Sequence, residues 1–148
     1  MYPLELSKYF SRVVTFEPEP TNFECLQLNT KDSGIESYQV ALGQHFGRVG
    51  LGGWDKNTGS AHVVKGSSIQ VIPIDSMSVI DCDLLQLDIE GAELSALIGA
   101  EQTLLQCKPV VMIERRRHGT DPHSMLLKKG YEEAESNATD SIYVYAGE

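Results

Sequence analysis

The chain has 148 residues, a length typical of one domain, which buries roughly 68–70% of its unfolded surface. It is 41% hydrophobic and 22% charged, and no apolar run approaches the ~20 residues needed to cross a bilayer, so membrane spans are excluded. With 12 basic and 21 acidic residues the formal net charge is -9. A field of that sign repels polyphosphate and anionic lipid, so neither nucleic acid nor a membrane is expected as a partner.

The amino-terminal and cysteine patterns favour a cytoplasmic protein. Residues 1–12 carry polar and charged side chains among their apolar ones, so they lack the core of a signal peptide. The three cysteines are an odd number without CxxC spacing, which predicts free thiols rather than a disulfide framework or a zinc site. They are Cys25, Cys82 and Cys107.

The basic run Arg115-Arg116-Arg117-His118 is a local exception to the acidic charge. It could receive an anionic group of a substrate. A solvated charged loop is the commoner outcome for such a run, so both interpretations stay open.

The first half of the chain predicts short elements separated by turns. Residues 4–10 indicate the tail of a helix, and the β-branched and aromatic run 13–16 predicts a strand. A helix is expected over 21–29 and a strand over 37–42. The glycine-rich stretch 43–68 favours loops and short antiparallel strands over a helix.

The second half predicts longer alternating elements. Strands are expected over 69–74, 83–88 and 109–113, a short helix over 124–129, and a closing hairpin of 130–135 with 141–146. After Gly91 one amphipathic helix is predicted from the spacing of Leu94, Leu97, Ile98, Leu104 and Leu105. Alternating strands and helices imply an α/β fold, and strands without polar alternation imply a parallel sheet.

Acidic residues follow three of the predicted strands. In open α/β sheets ligands bind beyond the carboxyl ends of the strands, so Glu17, Asp88, Glu90 and Glu114 are candidate site residues. Glu17 suits the acceptance of ribose hydroxyls, although an exposed turn acid would look the same in sequence.

The block Asp88-Ile89-Glu90-Gly91-Ala92-Glu93 is more specific. Residues two apart on an extended strand point the same way, so Asp88 and Glu90 can face one cavity, and Gly91 permits a sharp turn. Two neighbouring carboxylates repel each other unless a cation or hydroxyl donors lie close enough to offset their charges. Glu93 falls in the first helical turn, where the helix dipole favours a carboxylate and a structural role is expected.

Most of the chain resembles the FkbM family of S-adenosylmethionine-dependent methyltransferases. Residues 13–18 are similar to the second strand of the family and the start of its following helix, and 88–93 match its Asp-x-Glu-Gly-x-Glu block. Residues 40–43, 74–76 and 109–114 also follow family patterns.

The resemblance implies a Rossmann-like, mostly parallel methyltransferase sheet with a C-terminal antiparallel hairpin. It implies S-adenosylmethionine as cofactor and the hydroxyl of a sugar or other small molecule as acceptor. Glu17 would hold the ribose, Ala41 and Leu42 would lie near the adenine, and Asp88 and Glu90 would face the positive end of the cofactor and the acceptor. No residue is assigned to a metal.

Two features depart from the family pattern. Gln86 stands where the family usually has lysine, and the glycine-rich Asp-x-Gly-Ala-Asn-x-Gly turn and its strand do not occur in the 148 residues. We therefore expect a single domain, 1–148, truncated at its amino end relative to the family. The strands ending at Glu17 and Asp88 are expected at one edge of one sheet, either pairing directly or separated by an added segment, such as one from a second chain in a homo-oligomer.

Two other functions are compatible with these features. A methyltransferase-like remnant that binds a partner without catalysis would also lack the glycine-rich turn. A nicotinamide-dependent oxidoreductase would also use Glu17, but no G-x-G-x-x-G opens a helix, so it ranks last.

Overall fold

The computed structural model describes residues 2–52, 62–77, 81–114 and 121–147. The basic run 115–118 lies outside the described residues. The chain divides into two compact units, Met1–Ala41 with Gly47–Val71, and Leu42–Phe46 with Ile72–Glu148.

The elements before residue 73 are two helices and five strands among the described residues. In chain order they are α1 (Tyr2–Leu6), β1 (Val14–Phe16), α2 (Pro20–Asn29), β2 (Glu36–Tyr38), β3 (Ala41–Leu42), β4 (Gly47–Gly52) and β5 (His62–Ile72). The strand predicted over 37–42 is therefore two short strands, β2 and β3. The short antiparallel strands expected in the glycine-rich stretch are confirmed, because β4 pairs antiparallel with β5.

The described elements that follow are one 3-10 helix, three α-helices and four strands. They are the 3-10 helix (Ile74–Met77), β6 (Leu84–Leu87), α3 (Glu93–Ile98), α4 (Glu101–Cys107), β7 (Val110–Glu114), α5 (Pro122–Lys128), β8 (Tyr131–Ser136) and β9 (Asp140–Tyr145). The C-terminal hairpin is confirmed, because β8 pairs antiparallel with β9.

In the first unit, β1 and β2 form a parallel pair in which Phe16 lies beside Tyr38. Their rings stack with centroids 5.9 Å apart. Helix α2 begins at Pro20 because the buried carboxylate of Glu19 accepts a hydrogen bond from the backbone N–H of Asn22 at 2.6 Å, which satisfies a free helix donor.

A separate sheet has the strand order β3-β5-β4. Its apolar side chains form a small core of Ala41, Ile69 and Val71, with Val49 packed against it. Register shifts at Val49 and Gly50, where a bulge lets the long strand β5 continue pairing.

The second unit is built on the sheet β6-β7-β9-β8. Strands β6 and β7 are parallel with Leu87 beside Ile113, and β7 and β9 are antiparallel. Leu87, Leu97, Leu104, Val111 and Leu126 are at most 1% exposed and form the centre of this unit. Strand β7 lies between two neighbours, β6 and β9.

The single helix predicted after Gly91 is two helices, with a break at Gly99 and Ala100. The second helix, α4, is capped from outside: the Asp75 carboxylate accepts from the backbone N–H groups of Gln102 and Thr103, each at 2.9 Å. Leu105, predicted on the core face of this helix, is 53% exposed, whereas Leu104 is 1% exposed.

The α/β class is confirmed, and the sheets are mixed. Among the described ladders, β1–β2 and β6–β7 are parallel, whereas β4–β5, β7–β9 and β8–β9 are antiparallel. Direct pairing of the strands ending at Glu17 and Asp88, one of the two predicted arrangements, is wrong, because β1 pairs with β2 and β6 pairs with β7. None of the described helices is long and apolar enough to cross a membrane.

Candidate functional site

Three carboxylates meet at the carboxyl end of the β6–β7 pair. Leu87 and Ile113 are neighbours in this parallel ladder, so Asp88 and Glu114, the residues that follow them, emerge side by side. One carboxylate oxygen from each of Asp88, Glu90 and Glu114 lies within 4.8 Å of the others. Asp88 is exposed and the two glutamates are partly buried. We call these three residues the acidic cluster.

The turn after β6 orients this cluster. Glu90 has a φ of 55° and Gly91 a φ of 99°, so two successive residues take left-handed backbone conformations. For a residue with a Cβ this conformation costs roughly 1–2 kcal/mol, and glycine adopts it freely. The predicted sharp turn at Gly91 is confirmed, whereas the left-handed Glu90 is not evident from sequence.

Glu93 stabilises the same turn by hydrogen bonds to its backbone. Its side chain is 3% exposed, and its Oε1 accepts hydrogen bonds from the N–H groups of Ile89 at 3.2 Å and Gly91 at 3.1 Å. Buried backbone donors would otherwise be unsatisfied. Its predicted structural role is thus confirmed.

The acidic cluster has an electrostatic cost. Burial raises the pKa of Glu114 above its ordinary value, and the charges of Asp88, Glu93 and Asp140 raise it further. Asp140 belongs to this edge because it is the partner of Glu114 in the β7–β9 ladder. A positive charge placed among these carboxylates is therefore stabilised.

Two kinds of cationic group fit this donor set. Mg²⁺ and Ca²⁺ accept carboxylate oxygens such as these three as ligands. No metal site was predicted from the sequence. A sulfonium or ammonium group would also be stabilised by the same charges. Glu114 was a candidate because it ends a predicted strand, but it was given no role in binding the cofactor or the acceptor. The adjacency of two parallel strands is the signal that would have placed Glu114 beside Asp88 and Glu90.

Glu17 lies in the first unit, directly after β1. Its backbone N–H donates to the carbonyl oxygen of Tyr38 at 3.1 Å, and its Oε1 accepts from the N–H of Glu19 at 2.8 Å. Burial is the largest cause that raises the pKa of Glu17, and the neighbouring Glu19 carboxylate also raises it. A hydrogen bond with the Asn22 side chain acts on Glu17 in the opposite sense and lowers its pKa. Glu17 therefore organises its own turn.

Ala41 and Leu42 are buried in strand β3, 5% and 9% exposed. The Ala41 side chain packs against Ile69 and Val71, so it belongs to the apolar core. A ligand at this strand would meet the segment after Leu42, where the N–H of Gly43 donates to the carbonyl of Ile72 at 3.1 Å.

Comparisons with known proteins place these features in a family. The sequence model of the Methyltransferase FkbM domain matches residues 5–132. Among solved structures, the crystal structure of Methyltransferase FkbM from Methylobacillus flagellatus KT is similar in fold, with a TM-score of 0.59 and 24% sequence identity. The similarity covers 92% of this chain and 37% of that chain, so this chain spans well under half of that protein's length. No curated protein matches the chain.

Proposed function

The chain belongs to the FkbM methyltransferase family, and we propose that it is a methyltransferase domain that uses S-adenosylmethionine to methylate a hydroxyl of a sugar or other small molecule. The observation that carries the proposal is the acidic cluster at the carboxyl ends of β6 and β7. In this proposal both compact units belong to one domain, 1–148, with a Rossmann-like sheet.

The acidic cluster suits the cationic end of the cofactor. The chemistry that S-adenosylmethionine supplies is an electrophilic methyl group on a sulfonium centre, with an ammonium group nearby. Asp88 and Glu90 would bind this positively charged end, and the repulsion that raises the pKa of Glu114 would be relieved by it. Binding of this kind is alignment and electrostatic stabilisation, which is most of what a methyl transfer requires of a protein.

The acceptor hydroxyl would approach the same edge of the sheet. A carboxylate within hydrogen-bond reach orients the hydroxyl and accepts its proton as the new C–O bond forms. We assign this role to the Asp88 and Glu90 pair. Glu90 is partly buried, and its left-handed backbone directs it toward the cluster.

The remaining parts of the cofactor are assigned to the first half of the chain. Glu17, half-buried after β1, would accept hydrogen bonds from the ribose hydroxyls. Ala41 and Leu42 would lie near the adenine. The free state of all three cysteines fits a reducing compartment, and we propose the cytoplasm.

One observation favours a second candidate, a binding module without catalysis. The 148 residues contain no glycine-rich Asp-x-Gly-Ala-Asn-x-Gly turn, whose backbone N–H groups would hold the carboxylate end of the cofactor. Gln86 also places a neutral side chain where the family usually has a cation.

Calorimetry on one preparation separates these candidates. S-adenosylmethionine, S-adenosylhomocysteine and NAD are titrated in turn, and we expect binding of the first two and none of NAD. Because only S-adenosylmethionine carries the sulfonium charge, Asp88→Asn should weaken the binding of S-adenosylmethionine more than that of S-adenosylhomocysteine. Asp81→Asn, at an exposed aspartate outside the cluster, is the control and should change the binding of neither compound. If S-adenosylmethionine binds but no S-adenosylhomocysteine is released when a panel of sugars is offered as acceptors, the binding module is favoured. Absence of binding would reject the methyltransferase.

A further inference from the structure

Two of the three thiols lie at the opposite edge of the second unit from the acidic cluster. Cys82 lies two residues before Leu84, where strand β6 begins, and Cys107 is the last residue of α4, three residues before Val110, where strand β7 begins. Both are partly buried, whereas Cys25 in α2 is exposed. Neither takes part in the proposed methyl transfer.

The β6–β7 ladder brings these two thiols together. Leu84 is paired with Val110, and the ladder continues backward because the Val110 N–H donates to the carbonyl oxygen of Asp83 at 2.9 Å. Extending this register by one further residue places Cys82 beside Lys108, the direct neighbour of Cys107. Adjacent strands are about 4.8 Å apart, so Cys82 is one strand spacing from Lys108 and one residue further from Cys107. Disulfides span Cα separations of about 4.4–6.8 Å.

The backbone between α4 and β7 turns tightly at this point. Lys108 has a φ of 50°, and its N–H donates to the carbonyl of Leu104 at 3.2 Å. This left-handed residue ends the helix and reverses the chain into β7. Cys107 is therefore held at the start of the ladder rather than carried away along the helix.

The electrostatic environment of the two thiols is consistent with this placement. Burial raises the pKa of Cys82 to about 11, and the next largest cause is the thiol of Cys107. Burial also raises the pKa of Tyr131 to about 12, with both thiols contributing. Tyr131 is 3% exposed, and its hydroxyl lies 3.5 Å from the carbonyl oxygen of Leu104 in α4. The two thiols thus share one partly buried environment with this ring.

We propose that Cys82 and Cys107 are a redox-modification site that closes into an intramolecular disulfide in the presence of a low-molecular-weight disulfide such as oxidised glutathione. The Cys107 thiolate attacks one sulfur of the reagent, forming a mixed disulfide and releasing one glutathione thiolate. Cys82 then loses its proton, attacks the Cys107 sulfur and releases the second glutathione. Two protein thiols are oxidised, one reagent disulfide is reduced to two thiols, and the two protons pass to the departing thiolates.

The bond would close a loop that carries the candidate site. Residues 83–106 contain β6, the turn with Asp88 and Glu90, and helix α3. Because both ends of this loop are already adjacent in the ladder, closure constrains mainly the unfolded chain.

The test follows the reaction of the reduced chain with oxidised glutathione by mass spectrometry. Trypsin leaves both cysteines in one peptide, because no lysine or arginine occurs between Lys65 and Lys108, so digestion after glutamate is used. Cleavage at Glu90, Glu93 and Glu101 separates the two cysteines. We expect a link between the Cys82 and Cys107 peptides that dithiothreitol removes. It should form at least about tenfold faster in the folded chain than in urea, because folding holds the thiols together.

Single substitutions provide the controls. Cys25→Ser should retain the link, and Cys82→Ser should leave Cys107 as a glutathione mixed disulfide. Glutathione on both Cys82 and Cys107 of the folded chain, with no link between them, would overturn the proposal. Equal rates of linking in the folded and urea-unfolded Cys25→Ser chain would overturn it as well, and that comparison does not depend on how Cys82→Ser folds.

Discussion

Gly99 lies directly against the carbonyl oxygen of Gly43, so a Cβ added at position 99 would overlap that oxygen and approach Pro73 Cα to 3.2 Å. The contact belongs to a connected set of bonds in the second unit. The N–H of Gln44 donates to Ser95 Oγ at 3.1 Å, and the N–H of Asp75 donates to the Gly99 carbonyl at 2.9 Å. The break between α3 and α4 thus allows the backbone at Gly99 to lie close to the backbone at Gly43.

Gly99→Ala should destabilise the fold by about 1–3 kcal/mol, the range for overpacking a well-packed interior, since the nearest atoms are backbone and cannot rotate away. Urea unfolding measures this free energy. Gly47→Ala is the matched control, because a Cβ there meets nothing within 4 Å. Equal unfolding midpoints for the two variants would contradict the contact.

The raised pKa of Glu114 predicts a pH-dependent stability. An acid whose pKa is higher in the folded than in the unfolded state holds its proton more tightly when folded, so its favourable contribution is present below the ordinary value of 4.5 and is lost as pH rises through the folded pKa. Glu114→Gln should therefore increase stability at neutral pH and flatten its decline above pH 4.5.

Thermal unfolding between acidic and neutral pH measures this effect for Glu114→Gln. Glu132→Gln, at an exposed glutamate on β8, is the control and should follow the unsubstituted chain. A lower stability of Glu114→Gln at neutral pH would show that Glu114 makes net favourable contacts as a carboxylate.

The amino-acid pattern predicts local structure well where turns and strands have strong chemical signals. The run ending at Phe16, the hairpin around Asn137 and the turn at Gly91 all lie where their residues indicate. The break at Gly99 was missed because leucine spacing continues across it, and only the packing of Gly43 against Gly99 explains why the helix stops there.

The candidate site divides in the same way. Asp88 and Glu90 lie close together as expected, but through the turn rather than through strand alternation, because β6 ends at Leu87 and Glu90 has a left-handed backbone. Glu114 joins them through strand adjacency, which a single sequence does not state. The strand ending at Glu17 does not pair with the strand ending at Asp88, and this direct pairing could not be decided from sequence because strand partnership is a long-range choice that apolar runs leave open.

Glu17→Ala should weaken S-adenosylmethionine binding by about 1–3 kcal/mol, the range for the loss of charge-assisted hydrogen bonds. Calorimetry on folded protein measures the dissociation constant. Glu24→Ala, at an exposed glutamate on α2, removes the same charge and should leave the constant unchanged. If the two variants bind equally, Glu17 is a turn residue alone.

Asp88→Asn should reduce turnover much more than stability. The exposed Asp88 carboxylate is close to two others, so neutralising it relieves repulsion, and the free energy of unfolding should change by no more than about 0.5 kcal/mol. Turnover is measured as S-adenosylhomocysteine release with an accepted sugar, and Asp81→Asn is the control. An active Asp88→Asn would remove this residue from the proposed chemistry.

The last prediction concerns the affinity of these 148 residues for the cofactor. Direct pairing of β1 with β6 was one predicted way to close the sheet, and it is wrong, since they pair with β2 and β7 respectively. Among the described strands β6 is an edge strand, and its sequence Leu-Leu-Gln-Leu carries no charge to protect that edge. An added segment along β6, from a second chain of a homo-oligomer for example, stays a prediction.

Whatever covers β6, the glycine-rich turn is not among the 148 residues, so the N–H groups that would hold the carboxylate end of the cofactor are not supplied by them. We therefore expect a dissociation constant for S-adenosylmethionine well above 1 μM, that is, a binding free energy weaker than about -8.2 kcal/mol. Calorimetry gives the constant, and sedimentation of the same sample gives the number of chains. A monomer that binds S-adenosylmethionine at low micromolar concentration would show that the acidic cluster and Glu17 hold the cofactor without the glycine-rich turn.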